Sequence, residues 1–409
     1  MNPRKEKVMS TVSIRKIKDH SYESIKETVD QVIADCGGLE DIIKPGYKVI
    51  IKPNLVATPA DRLSGGVTRW EVCLAIYRAV EAVGGIPTIA ESSAAGADTE
   101  GPIQKCGYQE LRDQGVRVFD LKTEKSASTC KVPVEGGHIA KDIATWDVIR
   151  DADAIITVPV MKTHDQCEIT LGMKNMKGVM QDTCKKRFHK EGLVQSVVDL
   201  NATFKPVLEI IDGTYGQQGL GPIFGETKEM KLIVGSKDLV ACEAVTGLIM
   251  GYDVDEVEIT KAAYERGLGE KNIDKINVVG EKIDDVKSRF KRSSEVEIEG
   301  LPESFQCIFD PQACTGCHNT VISSLMDMKA QDLFPYLENM NVMVGPCTKD
   351  ALPEDANADN TVCVGVCTKK LADECGFRWV IGCPPGNADV VQGILGDRLE
   401  YGVRYAKDE

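Results

Sequence analysis

The chain has 409 residues, 42% of them apolar and 27% charged, with a formal net charge of −14. At about 150 residues per domain this length gives two or three domains, and the proportions exclude disorder, collagen and coiled coil. No run approaches ~18 apolar residues, Met1–Val12 is charged where a signal peptide is apolar, and the acidic balance lacks a nucleic-acid binder's basic face, so a cytoplasmic protein with no membrane and no nucleic acid is expected.

Alternating strands and helices are predicted along residues 1–300. Lys48–Val56 is a buried strand ending at a Pro-Asn turn, and Glu71–Val83 has helical spacing that stops at Gly84-Gly85. Ile86–Ala90, Val116–Leu121 and the apolar run Ala154–Val160 are further strands. The helix Glu191–Phe204 leads to strands Val207–Asp212 and Lys231–Gly235, then to helices Leu239–Gly251 and Glu256–Arg266 and a last strand, Ile276–Gly280. Apolar runs separated by helices imply strands buried on both faces of a mainly parallel sheet. The expected fold is therefore α/β: a two-lobed N-terminal module over 1–300, divisible at 160/161, and a C-terminal unit over 301–409. The charged stretch Asp284–Gly300 is the expected linker.

The last unit carries 8 Lys/Arg against 16 Asp/Glu and eight of the fifteen cysteines. Cys314-Thr-Gly-Cys317 opens a predicted helix, Cys367 follows the apolar run Val362–Val366, and Cys383 ends Trp379-Val380-Ile381-Gly382 before a helix over Ala388–Leu395. In an open α/β layer such strand ends gather along one edge of the sheet. Four thiolates there suit a cubane iron–sulfur cluster or a tetrahedral zinc ion. Cys347, after Asn341–Pro346, and Cys363 are candidate extra ligands, and Cys307 and Cys375 read as structural. The seven earlier cysteines, scattered singly, read as inert thiols of the core.

CTGC at 314–317, GVC ending at Cys367 and GCPP at 382–385 resemble the proximal-cluster domain of nickel–iron hydrogenase small subunits and the B subunit of NADH:quinone oxidoreductases. That resemblance implies a flavodoxin-like domain holding one 4Fe-4S cluster on Cys314, Cys317, Cys367 and Cys383.

Residues 162–190 run against the global charge. Lys162, Lys174, Lys177, Lys185, Lys186, Arg187 and Lys190 outnumber Asp165, Glu168 and Asp182, and His164 and His189 lie among them. Because Lys162 and His164 follow a buried strand, the cluster reads as a pocket for an anionic ligand. Lys52 and Asn54 end another strand, and Asp212 opens a glycine-rich stretch, Ile211–Pro222, expected to be a loop offering N–H groups to an anion. KPNLV at 52–56, VMKTH at 160–164, GMKNMKG at 172–178, His189 and IDGTYGQQGLGP at 211–222 resemble the domain-of-unknown-function 362 family over residues 10–280, with Glu243 where Asp is expected. A fainter resemblance is to the lactate racemase family, in which His164, Lys174 and His189 would match a histidine, a nucleotide-tethering lysine and a nickel-site histidine. The histidine expected near Glu91–Asp98 is missing, and two-sided proton transfer needs two bases.

The leading expectation is an iron–sulfur redox protein whose cluster passes electrons to or from an anionic, nucleotide-like ligand or a partner protein. Lys52, Asn54, Lys162, Lys174, Lys177, His189 and Asp212 would bind the ligand, and His164 would donate a proton, since histidine titrates near neutrality. The alternatives are a non-catalytic electron-transfer or assembly subunit that docks a redox enzyme through its acidic face, and a racemase-like isomerase with a structural cluster.

Overall fold

The computed structural model describes residues 9–222, 224–313 and 315–399. Cys314, one of the expected cluster ligands, lies outside the described residues. The chain builds an α/β structure around two separate sheets. The larger has ten strands, and its main path runs Ile276–Gly280, Ser10–Lys16, Phe224–Ser236, Leu208–Leu220, Ala154–Val158, Lys48–Pro53, Ile86–Glu91, Val118–Asp120. Val160–His164 continues beside Leu208–Leu220 and pairs antiparallel with Glu168–Thr170. Strands from both halves of residues 10–280 thus share one sheet.

The central strands are parallel. Ala154–Val158 is buried at all five positions, which is why these segments are continuous Val/Ile runs. Two apolar groups enclose them. One gathers Ile25, Val29, Val72, Ile76 and Val80 from helices Tyr22–Asp35 and Trp70–Ala82. The other gathers Val179, Phe188, Val197 and Leu200 from residues 176–204.

Two expectations change here. Ile211–Pro222 is not a loop: Leu208–Leu220 and Phe224–Ser236 form a long antiparallel hairpin, with Gln217 opposite Thr227 and Leu220 opposite Phe224. Its glycines let other chain segments approach. A methyl at Gly65 would overlap the Gly216 carbonyl, and one at Gly221 would overlap that of Thr163. The charged stretch after residue 283 is likewise no free linker. Phe290 is fully buried against Gly216, Gly219 N–H donates to the Lys291 carbonyl at 2.8 Å, and the Ser293 hydroxyl to the Gly219 carbonyl at 2.9 Å.

The second sheet holds Gln306–Phe309, Asn341–Val344, Thr361–Val364 and Arg378–Val380, all parallel and in sequential order. Helices Thr315–Ala330 and Asn387–Leu395 cover one face through Val321, Leu325, Val390 and Ile394; Lys369–Cys375 covers the other through Leu371 and Ala372. The layering is the expected one, and the sequential order brings every loop that leaves a strand's C-terminal end to one edge. Among the described residues no helix is long and apolar enough to cross a membrane.

Since Phe290 fastens the connection between the two sheets, Phe290→Ala is expected to cost about 3–5 kcal/mol, the usual range for deleting a buried aromatic. Denaturant unfolding followed by far-ultraviolet circular dichroism reads this directly. A loss below ~1 kcal/mol would mean the segment is a loose tether.

Candidate functional site

Three of the cysteine-bearing loops meet at that edge. Gly365 N–H donates to the Val380 carbonyl at 2.9 Å and Val366 N–H to the Gly382 carbonyl at 3.1 Å, which zips the Cys367 loop to the Cys383 loop. Gly365 has φ +94°, and a methyl placed on it would stand 2.9 Å from Cys317 Sγ. Cys317 is buried, whereas Cys367 and Cys383 are exposed. Among the described residues no three His, Cys, Asp or Glu side chains gather to hold a single metal ion. A cubane spaces its ligands around four irons rather than one, so its thiolates stand farther apart than those of a mononuclear site.

Cys363 is inside its strand, fully buried with Cys347, Leu371 and Ala372 on the face covered by Lys369–Cys375. Burial pushes the Cys363 thiol up to about 12, and Cys347 is raised by the same cause. Cys347 Sγ lies 3.3 Å from the Val344 carbonyl.

The edge is docked on the large sheet's basic cluster. Cys383 N–H donates to the His189 carbonyl at 2.9 Å, and Leu193 N–H to the Cys383 carbonyl at 3.2 Å. The peptide of Cys383 therefore closes the gap between helices Asp182–Glu191 and Leu193–Phe204. Gln166 Nε2 donates to the Pro385 carbonyl at 3.1 Å. The Asn387 amide donates to Ser323 Oγ at 2.8 Å, Asp327 Oδ2 at 3.3 Å and Asp165 Oδ2 at 3.5 Å. Each unit supplies a carboxylate to that one asparagine.

Beneath this lid stand two lysine–histidine pairs. Lys174 Nζ is 2.6 Å from His164 Nε2, and Lys177 Nζ is 3.0 Å from His189 Nε2. Both lysines ride on a helical turn, Gly172–Asn175 continued by Met176–Val179. His164 Nδ1 lies 2.7 Å from Asp165 Oδ1, and Gln166 N–H approaches the same ring nitrogen at 2.8 Å. The Gln166 N–H points into Nδ1, and Lys174 Nζ stands at the Nε2 side of the ring. Burial, then the charge on Lys174, pushes His164 down to about 4 against the opposing pull of Asp165. Neutral at pH 7, this ring carries no imidazolium proton to donate, the role expected for it. His189 is also held well below the ordinary histidine range, by burial and then the charge of Lys177. Its Nδ1 makes no hydrogen bond among the described residues.

The other residues expected in the pocket are occupied by protein partners. Lys52, fully buried, is 2.7 Å from Glu91 Oε2 and 3.2 Å from Asn175 Oδ1. Lys162, also fully buried, donates to Asn54 Oδ1 at 3.1 Å and to the Gly66 carbonyl at 2.8 Å, with no carboxylate contact among the described residues. Burial, then the Lys174 charge, pushes its ammonium down to about 7. Asp212 receives Arg69 N–H at 2.8 Å and Thr214 Oγ1 at 2.7 Å, and burial raises its carboxyl. Lys52, Asn54, Lys162 and Asp212 are thus held by protein partners, whereas Lys174 and Lys177 are paired with His164 and His189. Lys185 fastens the Ser92-Ser93 loop at 2.6–2.8 Å and faces Asp182 at 3.3 Å.

Sequence reasoning missed the residues that hold the lysine-bearing turn. Gly172 N–H donates to Glu209 Oε1 at 2.6 Å and Met173 N–H to Glu243 Oε1 at 2.7 Å, so two buried carboxyls cap its N-terminus. Burial raises both, with mutual repulsion adding to the rise at Glu209. The signal was a glutamate inside the apolar run Val207–Ile211, where a charged residue has no reason to be unless it is bonded. Gly178 is needed because a methyl there would overlap the Lys52–Glu91 pair.

Two outcomes are expected. Glu91→Gln leaves the Lys52 ammonium buried without its counter-charge and should cost about 3–5 kcal/mol in denaturant unfolding. The His164 ring should stay neutral down to about pH 4 in nitrogen-15 imidazole spectra, and Lys174→Met should raise that midpoint. Because the unfolded chain takes this proton near the ordinary value of 6.5 and the folded chain only near 4, acidification through that window removes stability. A His164 midpoint near 6.5 would contradict the buried pairing.

Comparison with known proteins bears on the basic cluster. The thylakoid-associated protein sll1697 of Synechocystis sp. strain PCC 6803 is 29% identical over 270 residues, covering 62% of this chain and 79% of that protein. The lactate racemase apoprotein from Thermoanaerobacterium thermosaccharolyticum superposes with a TM-score of 0.37 at 10% identity over 57% of this chain. The superposed part spans 56% of that structure, and nothing about chemistry is drawn from it. Residues 49–247 match the model of a family described as a domain of unknown function, DUF362, so the lysines, the histidines and the carboxyls beneath them all lie in a DUF362 segment.

Proposed function

We propose that this chain is an iron–sulfur redox protein in which a 4Fe-4S cluster exchanges electrons with an anionic ligand held by Lys174, Lys177, His164 and His189. The observation that carries the reading is Cys383, whose N–H donates to the His189 carbonyl and whose carbonyl accepts from Leu193 N–H. A cluster ligated there would stand one hydrogen bond from the pocket. Cys317, Cys367 and Cys383, with Cys314, would hold it, and the cluster would supply single electrons.

The protein's own residues account for the ligand's charge. Lys174 and Lys177 have histidine partners and no carboxylate in ion-pair contact among the described residues. Burying an ammonium without a counter-charge costs several kcal/mol, and an anion between the two pairs would remove that cost. His164, fixed at Nδ1 by the Gln166 N–H, would orient the Lys174 side chain rather than act as the acid itself. The exposed Cys367 edge, in a strongly acidic quarter of the chain, would give a basic redox partner its approach.

Protein purified without oxygen is expected to be brown, to contain equimolar iron and sulfide, and to bleach with dithionite. Cys317→Ser, Cys367→Ser or Cys383→Ser should each remove or damage the chromophore, while Cys36→Ser and Cys130→Ser should leave it. Protein reconstituted anaerobically that still lacks iron and sulfide would end the cluster reading.

A further inference from the structure

We infer that Lys177 is an amine nucleophile that forms an imine with a carbonyl compound carrying an anionic group, a 2-oxo acid being the simplest of that class. This deepens the anionic-ligand part of the reading above and does not depend on the cluster.

The buried lysines of this region differ in what surrounds the amine. Lys52 has Glu91 and the Asn175 amide. Lys185 has three oxygens of Ser92 and Ser93 besides Asp182. Lys162 has an amide oxygen and a main-chain carbonyl. Each has at least two oxygen acceptors on its amine. Lys177 is only half-buried, makes its one hydrogen bond among the described residues to a histidine nitrogen, and has no carboxylate within ion-pair distance there. A second amine, Lys174, stands three residues earlier on the same helical turn. An amine that is largely desolvated and set beside another cation is the arrangement that turns lysine into a nucleophile, because its neutral form is favoured. Burial, and after it the Lys174 charge, do hold the Lys177 amine well below the ordinary lysine range.

The neighbours fit a carbonyl bearing a carboxylate or phosphate. The anionic group would lie against Lys174, whose Nζ is already anchored on His164, and this would bring the carbonyl carbon toward Lys177. The Lys177 nitrogen bonds to that carbon, and the carbonyl oxygen takes up a proton to give a carbinolamine. Loss of that oxygen as water then leaves a protonated imine. The neutral amine, the carbonyl compound and one proton drawn from water are thereby converted to iminium and one water, with no change of oxidation state. The imine keeps its positive charge next to the ligand's own negative group.

The test uses full-length protein, both as isolated and after cluster reconstitution, incubated with pyruvate or glyoxylate and sodium cyanoborohydride. Peptide mass mapping of the wild type then locates the reduced adduct. Labelling of Lys177 should exceed that of exposed lysines such as Lys131 and Lys370 severalfold, because its depressed amine is more often in the free form. Lys177→Arg should abolish that adduct while melting like the wild type, and Lys174→Met should slow its formation. Even labelling across exposed lysines, with pyruvate still perturbing the His164 and His189 ring signals, would overturn the imine and leave the anion pocket standing. Neither labelling nor ring perturbation would overturn both. The mass readout needs no cluster, so loss of iron and sulfide leaves this result unaffected.

Discussion

Positive charge buried with too little negative charge beside it is the constraint on which the centre of this molecule depends. Five lysines and two histidines converge on the C-terminal ends of the parallel strands, and the carboxylates that reach them are Glu91, Asp165 and Asp182. An unpaired buried ammonium costs several kcal/mol, and the structure answers that cost differently at each position. Lys52 has a full ion pair, Lys162 has an amide and a carbonyl oxygen, Lys185 has serine oxygens and Asp182, and among the described residues Lys174 and Lys177 have histidine nitrogens. The pairing weakens toward the face where the cysteine unit sits. That gradient separates the lysines held by protein oxygens from those left for a ligand.

The cysteine unit completes this site rather than hanging beside it. The strand order of the small sheet delivers the loops after Val344, Val364 and Val380 to one edge. The Cys383-Pro384-Pro385 loop then fills the opening between helices Asp182–Glu191 and Leu193–Phe204. Asn387 adds a polar fastening, since its amide bridges Asp165 of the pocket to Ser323 and Asp327 of the cysteine unit. Burial pushes Asp327 up to about 6, with the charge on Asp165 contributing. The two carboxylates are therefore close enough to feel each other across the seam. The packed segment around Phe290 keeps this seam in register from the hairpin side.

Much of this was legible in the residues. Strand ends such as Val364 and Val380 could be placed from their apolar runs, and the cysteines that follow them had to share an edge if the strands were parallel. The clustering of Lys174, Lys177, His164 and His189 followed from lysines placed after a buried strand. What could not be read was which lysines are already satisfied, because that depends on contacts between residues far apart in sequence. Lys52 reaches Glu91 across thirty-nine positions, and Lys162 reaches Asn54 across one hundred and eight. The hairpin at 208–236 was misread for a related reason. Its glycines suggested a loop, yet they admit the 64–66 segment and the Thr163 carbonyl against a strand. The role of His164 also turned on its neighbours, because an isolated histidine titrates near neutrality and this one sits against an amine.

The carboxyls and amines of the centre deviate in opposite senses within a few residues of each other. Glu209 and Glu243 are raised by burial, while Lys162 and Lys177 are lowered by it. Glu209 Oε1 receives the Gly172 N–H, and the two Glu243 oxygens receive the Met173 N–H and the Thr260 hydroxyl. Those bonds fix the start of the turn whose side chains, Lys174 and Lys177, face the histidines. The acids therefore set where the amines stand without being able to balance them. Among the described residues no carboxylate is in ion-pair contact with Lys174 or Lys177. Because the Cys383 peptide closes over the same space, an anionic ligand paired with them would lie against the loop expected to carry the cluster.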